Sequence, residues 1–577
     1  MKLADTMAWR PGSLQAALYA TLAAAVLAMA CADRAPRTDE AAEVPNEAAL
    51  IARYAAPLEG APGSVPLFDR LGTYHRAIST GSARAQSYFD QGLRLQYAFN
   101  HAEAIRAYEE ALRYDPHCPI CWWGIALASG NNINAPLETE SGRRAYAAVQ
   151  RAVELSENAG PAERDLIAAL AARYGPDPGK NRVSLDSAYA RAMADVAAAH
   201  PDDGDVLTLY AASLMNLSPW DYWDEDHQPR PGTEQILAAL TRALELDPDN
   251  PGACHYYIHS VEAAYPERAV ECADRLAALM PGAGHIVHMP GHIYIRVGRY
   301  ADAVRANEHA VHEDEQYIAD QQPGGGLYPT AYYPHNYHFM WFAASMAGMS
   351  EKALYAARTV APKVPHEVAK QIYWIQNVLV LPQLAQVTFG RWEPVLEAPM
   401  PPEDLRTATA MARYARGVAL AATGRPADAA AELDEIEQLL ADSGEGEDGL
   451  GTNEVIAIAR LALAGEMALR TGDPAMAVEH FTAAVEIEDS MLYEEPPLWY
   501  YPLRHSLGLA LLEAGRPADA AAAYREDLKR FPENGWSLYG LAQALSAQGA
   551  EAEADSVRAR FETAWSGADT QLAASRF

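Results

Sequence analysis

Beyond its first thirty residues the 577-residue sequence has no run of about twenty continuous apolar residues, the length a helix needs to cross a bilayer. A mature chain that does not span a membrane is therefore expected. Basic residues are scarce: 45 Lys and Arg stand against 77 Asp and Glu, a formal net charge of −32. Such a surface repels phosphate backbones and excludes nucleic acid as an expected partner. Only five cysteines occur, with a single CxxC at Cys118–Cys121. Without a second CxxC a four-cysteine zinc site is excluded, and Trp122 stands where a haem-attachment motif needs His. HExxH is absent, so a zincin protease gets no support, and Gly324–Gly326 is followed by no GK[ST], so it is no phosphate loop. Alternating β-branched runs are missing too. What is abundant is alanine in a chain that is 50% apolar, a composition that favours helices. The length is too great for one core and implies several domains or a repeat array.

The N-terminus reads as a signal. Lys2 and Arg10 precede an uncharged stretch from Pro11 to Ala30, and Cys31 follows. This is the basic, apolar and small-residue order of an export signal over residues 1–31. AMAC resembles the lipobox of bacterial lipoproteins, where the Cys is lipidated and becomes the new N-terminus. Leu27 stands one place further from Cys31 than in the common pattern, and plain cleavage near Ala30 is the alternative. Residues 32–65, rich in Ala, Glu and Pro, are expected to form a flexible tether. With Cys31 consumed by lipid, Cys118, Cys121, Cys254 and Cys272 are left in an oxidising compartment. The CPIC pair is a local disulfide, a redox pair or half of a metal site.

Gly92, Ala104, Tyr108, Ala111 and Pro116 fall at offsets of 0, 12, 16, 19 and 24 in QSYFDQGLRLQYAFNHAEAIRAYEEALRYDP. The pattern recurs at Gly291/Ala303/Ala310, Gly417/Ala429, Gly465/Ala477/Phe481/Ala484 and Gly508/Ala520/Tyr524/Pro532. It resembles the tetratricopeptide repeat, a helical hairpin with small residues where its A and B helices cross. The resemblance implies an all-α fold, a right-handed superhelical solenoid of hairpins with loop insertions near 176–230 and 311–335 and a concave face lined by A helices. YAFNHAEA, CWWGIALASGNNIN, HMPGHIYIRVGRY and EPPLWYYPLRHSLG together resemble exported bacterial repeat proteins, a likeness that establishes no activity. The expected segments are repeat units over 66–175, an inserted helical and loop segment over 176–250, histidine-rich units over 251–365 and further units over 366–565.

The histidines point to chemistry. HIVHMPGHIY carries His285, His288 and His292 on one helical stripe. With Gly291 at repeat position 8 they occupy positions 2, 5 and 9. CHYYIHSVE places His255 and His259 at positions 5 and 9 and Glu262 at 12, and PHNYHFMW places His335 and His338 at positions 2 and 5. The repeat resemblance implies that these positions face the groove. A lone groove histidine is ordinarily a satisfied core or surface residue, and HxxxH arises by chance in many helices. Three helices in matching register are a different matter, because crowded neutral imidazoles bury lone pairs that a metal or hydrogen bonds must satisfy.

These seven histidines are therefore the expected metal ligands. Imidazole suits zinc, copper and iron. Seven exceed what one tetrahedral zinc uses, so one or two ions are expected, with copper favoured in an exported, thiolate-poor site. Zinc, with Glu262 as general base for hydrolysis, is the alternative. Tyr333, within the candidate lid QQPGGGLYPTAYYPHNYH, and His505 of YYPLRHSLG are further catalytic candidates. The expected function is oxidation of a small-molecule or peptide substrate in the groove. A protein-interaction scaffold and a non-catalytic metal carrier are the other classes. The expected location is the periplasm or an outer-membrane or cell-surface position, with membrane contact only through a lipid on Cys31.

Overall fold

The computed structural model describes residues 47–576 except 57, 59–61, 64, 324–326, 372–374 and 443–450. The expected export signal, Cys31 and the glycines of the candidate lid lie outside the described residues. No helix among the described residues is long and apolar enough to cross a membrane. No strand occurs among them either; two isolated β-bridges, Asn132 with Ala135 and Trp223 with Pro229, are the only extended pairings.

Two compact units form. Of the described residues, the first comprises those up to Met289 together with Glu313–Tyr328, and the second Pro290–His312 together with those from Pro329 on. Antiparallel helical hairpins build both. In the first unit Ala83–Tyr97 pairs with His101–Tyr114, Pro119–Ala128 with Thr139–Glu154, Gly204–Met215 with Thr233–Leu246, and Pro251–Val261 with Val270–Leu279. In the second unit Tyr333–Met346 pairs with Ser350–Val360, Arg406–Ala422 with Pro426–Ala441, Thr452–Thr471 with Pro474–Ser490, and Arg504–Glu513 with Pro517–Arg530.

Caps and crossings explain the first hairpin. Ser82 begins one helix by accepting from the Ala85 amide at 3.2 Å, and Asn100 begins the next by accepting from Glu103 at 3.4 Å. Tyr108 is then wedged between two glycines. A Cβ on Gly92 would lie 2.5 Å from its ring, and one on Gly124 2.7 Å. Tyr524 sits in the same way between Gly508 and Gly540, where an added Cβ would come to 2.3 Å at either position. Helices this close leave no room for even a methyl group, which is why the repeat pattern in the sequence is written in glycine and alanine.

Cys118 and Cys121 form a disulfide at the start of the Pro119–Ala128 helix, where the Cys118 sulfur also accepts from the Cys121 amide at 3.2 Å. Of the three readings of CPIC, this is the local disulfide. Part of the expected tether is helical. Residues Glu47–Tyr54 form a helix beside Thr139–Glu154, with Leu50 buried and Ile51 and Tyr54 half-buried. An apolar stripe at i, i+1 and i+4 is enough to dock one short turn pair, whatever the composition around it. The 176–250 segment holds the helix Arg182–Ala199 and the Gly204–Leu246 hairpin.

After the last hairpin the second unit closes on itself. Asp569 accepts from the amides of Ser350 and Glu351 at 2.6 and 3.1 Å. The Arg576 guanidinium lies 3.7 Å over the Tyr501 ring and donates to the hydroxyls of Tyr414 and Tyr500 at 3.0 and 3.3 Å. Ser575 donates to the His505 carbonyl at 2.9 Å.

Candidate metal centre

The expected ligands fall in both units. His255, His259, His285 and His288 belong to the first; His292, His335 and His338 belong to the second.

In the first unit Asn250 caps the Pro251–Val261 helix by accepting from Ala253 at 2.9 Å, and Pro251 takes the first turn, where no amide is needed. His255 and His259, four residues apart, share one face of this helix. His285 comes from the Gly284–His288 helix. Its neighbour Gly284 has to be glycine, because a Cβ there would lie 1.9 Å from the Asp314 carboxylate. Asp314 accepts from the Tyr328 hydroxyl at 2.8 Å, and that hydroxyl accepts from the His285 amide at 3.0 Å. The backbone at His285 is thereby fixed.

The three imidazoles converge. Each of His255, His259 and His285 offers one ring nitrogen within 4.8 Å of the other two, and all three side chains are buried. Ring centroids are 4.9 Å apart for His255 and His259, 5.0 Å for His255 and His285, and 6.4 Å for His259 and His285. Three ligands about 2.1 Å from a tetrahedral ion sit about 3.4 Å from one another, so small side-chain rotations bring this trio to ligating distance. His288 is a neighbour, its ring 5.9 Å from His285.

Two of the three rings are held from behind. His255 Nδ1 lies 2.6 Å from the Tyr97 carbonyl oxygen. A carbonyl only accepts, so Nδ1 carries the proton and the lone pair is on Nε2. His259 Nδ1 lies 3.2 Å from Glu262 Oε1, and both side chains are almost fully buried. That carboxylate fixes the same tautomer. Tyr97 is itself anchored: its hydroxyl donates to Asp205 at 2.6 Å, and Arg76 bridges Asp205 and Asp203 at 2.7–3.0 Å. Desolvation opposes charge on Arg76, yet the two carboxylates win and its pKa is raised.

Two aromatic side chains cover the trio, and both sit on strained backbone. The Phe99 ring is 4.4 Å from His255, 5.5 Å from His285 and 6.1 Å from His259. Trp220 meets His259 edge-on at 5.0 Å and ties its indole N–H to the Ile133 carbonyl at 2.9 Å. Their φ angles are +56° and +64°. The left-handed region costs a bulky residue roughly 1–2 kcal/mol, and such outliers concentrate at functional sites. YAFNHAEA contains Phe99 but gives it no role in the sequence reading. Its only signal is position, directly before the Asn100 cap.

In the second unit His292 Nδ1 lies 2.6 Å from Glu495 Oε2, again a buried carboxylate–imidazole pair, and the His335 ring is 5.8 Å from His292. His338 stacks on Trp341 at 5.4 Å, and desolvation lowers its pKa to about 4. Tyr333 receives the Lys363 ammonium on its hydroxyl at 3.2 Å. His505 Nε2 lies 3.2 Å from Asp527 and 3.1 Å from Asn534, and its ring stacks on Trp536.

The donor set has a clear chemical preference. Neutral imidazole nitrogens in an apolar, aromatic surround suit copper, zinc or iron and not calcium or magnesium, which require oxygen ligands.

A family model described as "Tetratricopeptide repeat" matches residues 89–129 and 505–567. No curated protein matches the chain. Among solved structures, the human IFIT1 dimer with m7Gppp-AAAA is 14% identical, with a TM-score of 0.30 over 84% of this chain and 90% of that one. The APC/C hetero-tetramer Cut9–Hcn1 is 14% identical, with a TM-score of 0.27 over 85% and 77%. Yeast Tom70 is 11% identical, with a TM-score of 0.25 over 82% and 90%. At these scores the likenesses say nothing about this chain's ligand.

Proposed function

We propose that the chain, a tetratricopeptide-repeat protein, is an exported metalloprotein that holds a transition-metal ion at His255, His259 and His285. The observation that carries this reading is the buried convergence of three imidazoles within 4.8 Å, two of them fixed through Nδ1 by a carbonyl and a carboxylate. Ligating histidines are oriented in this way by the groups behind them. Copper is favoured over zinc or iron, because the site offers imidazole alone and export places it in an oxidising compartment.

Bound copper would supply one-electron redox chemistry, and the reaction class we favour is oxidation of a small or peptidic substrate. The protein's own residues then have separable tasks. His255, His259 and His285 bind, Tyr97 and Glu262 orient, and Phe99 and Trp220 exclude water. Because Glu262 hydrogen-bonds His259, we assign it a positioning role, which weakens the zinc-hydrolase alternative that needs it as general base. The repeat fold by itself supports a scaffold for protein interactions, and a peptide is the partner class that scaffold would take.

Elemental analysis of the purified mature protein tests the reading. Stoichiometric copper is expected. Stoichiometric zinc would move the proposal to hydrolysis, and the absence of any transition metal, even after incubation with copper and zinc salts, would leave the scaffold alone.

A further inference from the structure

Cys254 and Cys272 stand on the two helices of the hairpin that carries His255 and His259, Pro251–Val261 and Val270–Leu279. Their Sγ atoms are 2.7 Å apart. That is far inside the spacing at which unbonded sulfurs rest and well on the way to the bonded length of about 2.05 Å. Both side chains are buried, at 0% and 6% exposure, so neither thiol is placed to serve an outside partner. The Cys118–Cys121 disulfide sits in the same unit.

We propose that Cys254 and Cys272 form a second disulfide, a redox-dependent staple that locks the helix bearing His255 and His259 against its partner helix. Each thiol gives up one proton and one electron as the S–S bond forms. The two electrons and two protons pass by thiol–disulfide exchange to an oxidant of the class R–S–S–R, which leaves as two R–SH. Formation therefore accompanies folding, before burial closes off the sulfurs. The staple closes a loop of 17 intervening residues, which removes freedom from the unfolded chain. Cys254 directly precedes His255, so the bond also restricts rotation of the helix that aims that ring. The inference does not depend on a bound metal.

Peptide mapping decides it. The full chain, secreted into an oxidising compartment, is denatured without reductant, alkylated and cut with trypsin. The expected product is a cross-linked pair, Ala243–Arg268 with Ala269–Arg275, about 2 Da lighter than the sum of its two reduced peptides. The Cys118–Cys121 peptide carries its own disulfide within one fragment and serves as the internal control. Quantitative alkylation of both Cys254 and Cys272, with the control peptide still oxidised, overturns the proposal and leaves two thiols in a hydrogen bond. Reductant gives a second readout: it should lower the thermal midpoint of the wild type more than that of a Cys254→Ala/Cys272→Ala variant. Equal shifts in the two proteins also overturn it.

Discussion

Glu262 Oε1 lies 3.2 Å from His259 Nδ1, less than one helical turn along the chain, and both side chains are shut away from water. A carboxylate in that place has little reason to be buried unless it orients the imidazole. Glu262→Gln keeps the shape but weakens the hold on the ring. It should lower metal affinity roughly 10- to 100-fold, with little change in the fold. Competition against a chelator of known affinity, with circular dichroism as the folding control, measures both. Unchanged affinity would remove Glu262 from the site.

Phe99 supplies a second separable test. Phe99→Gly relieves the left-handed backbone at φ +56° but opens the trio to water. The two effects on stability oppose each other, so the net loss should be about 1–4 kcal/mol, less than the about 3–5 kcal/mol that truncating a buried Phe on unstrained backbone costs. Chelator-driven metal release should be faster by roughly tenfold, since the apolar shell controls solvent access. Stopped-flow release reads the rate, and urea unfolding reads the stability. Release at the wild-type rate would mean that the ring shields nothing.

Gly92→Ala tests the repeat packing. The added methyl would sit 2.5 Å from the Tyr108 ring, which Gly124 already crowds from the other side. Overpacking of this kind costs about 1–3 kcal/mol. The thermal midpoint should fall, and Gly92→Ala/Tyr108→Phe should recover little, because the clash is with ring carbons. A neutral Gly92→Ala would contradict the close crossing.

His101 gives a pH signature. Desolvation, with Arg173 nearby, lowers its pKa to about 4 in the folded chain, against about 6.5 in the unfolded chain. Between these values the unfolded state binds the extra proton, so stability rises with pH across the window and is flat above it. The side chain is only partly enclosed, so screening reduces the contribution to about 2 kcal/mol. Metal-free wild type should lose about that much on going from pH 7 to pH 4, beyond any loss shared with His101→Gln. Identical pH profiles in urea unfolding would refute the assignment.

Much of this was legible in the sequence for a definite reason. Close helix crossings demand small residues at fixed offsets, so Gly92, Ala104 and Ala111 report the hairpin directly. The same register brought His255, His259 and His285 forward as candidates, because helical spacing fixes a face. What stayed hidden depends on contacts distant in sequence. Nothing in YAFNH announces that Phe99 turns into the left-handed region. Nothing near His285 announces Asp314 and Tyr328, except the glycine just before it. Leu50, Ile51 and Tyr54 form too short a stripe to outweigh the Ala, Glu and Pro around them, so their helix read as tether.

The most direct test is copper X-ray absorption on metal-loaded protein, with occupancy compared across variants. Wild type should bind copper with a nitrogen shell of about three imidazoles near about 2.0 Å. His255→Ala/His259→Ala/His285→Ala should lose that occupancy, and His200→Ala, whose ring pairs with Asp165 at 2.7 Å, should keep it. Equal occupancy and an unchanged spectrum in the triple variant would contradict the account.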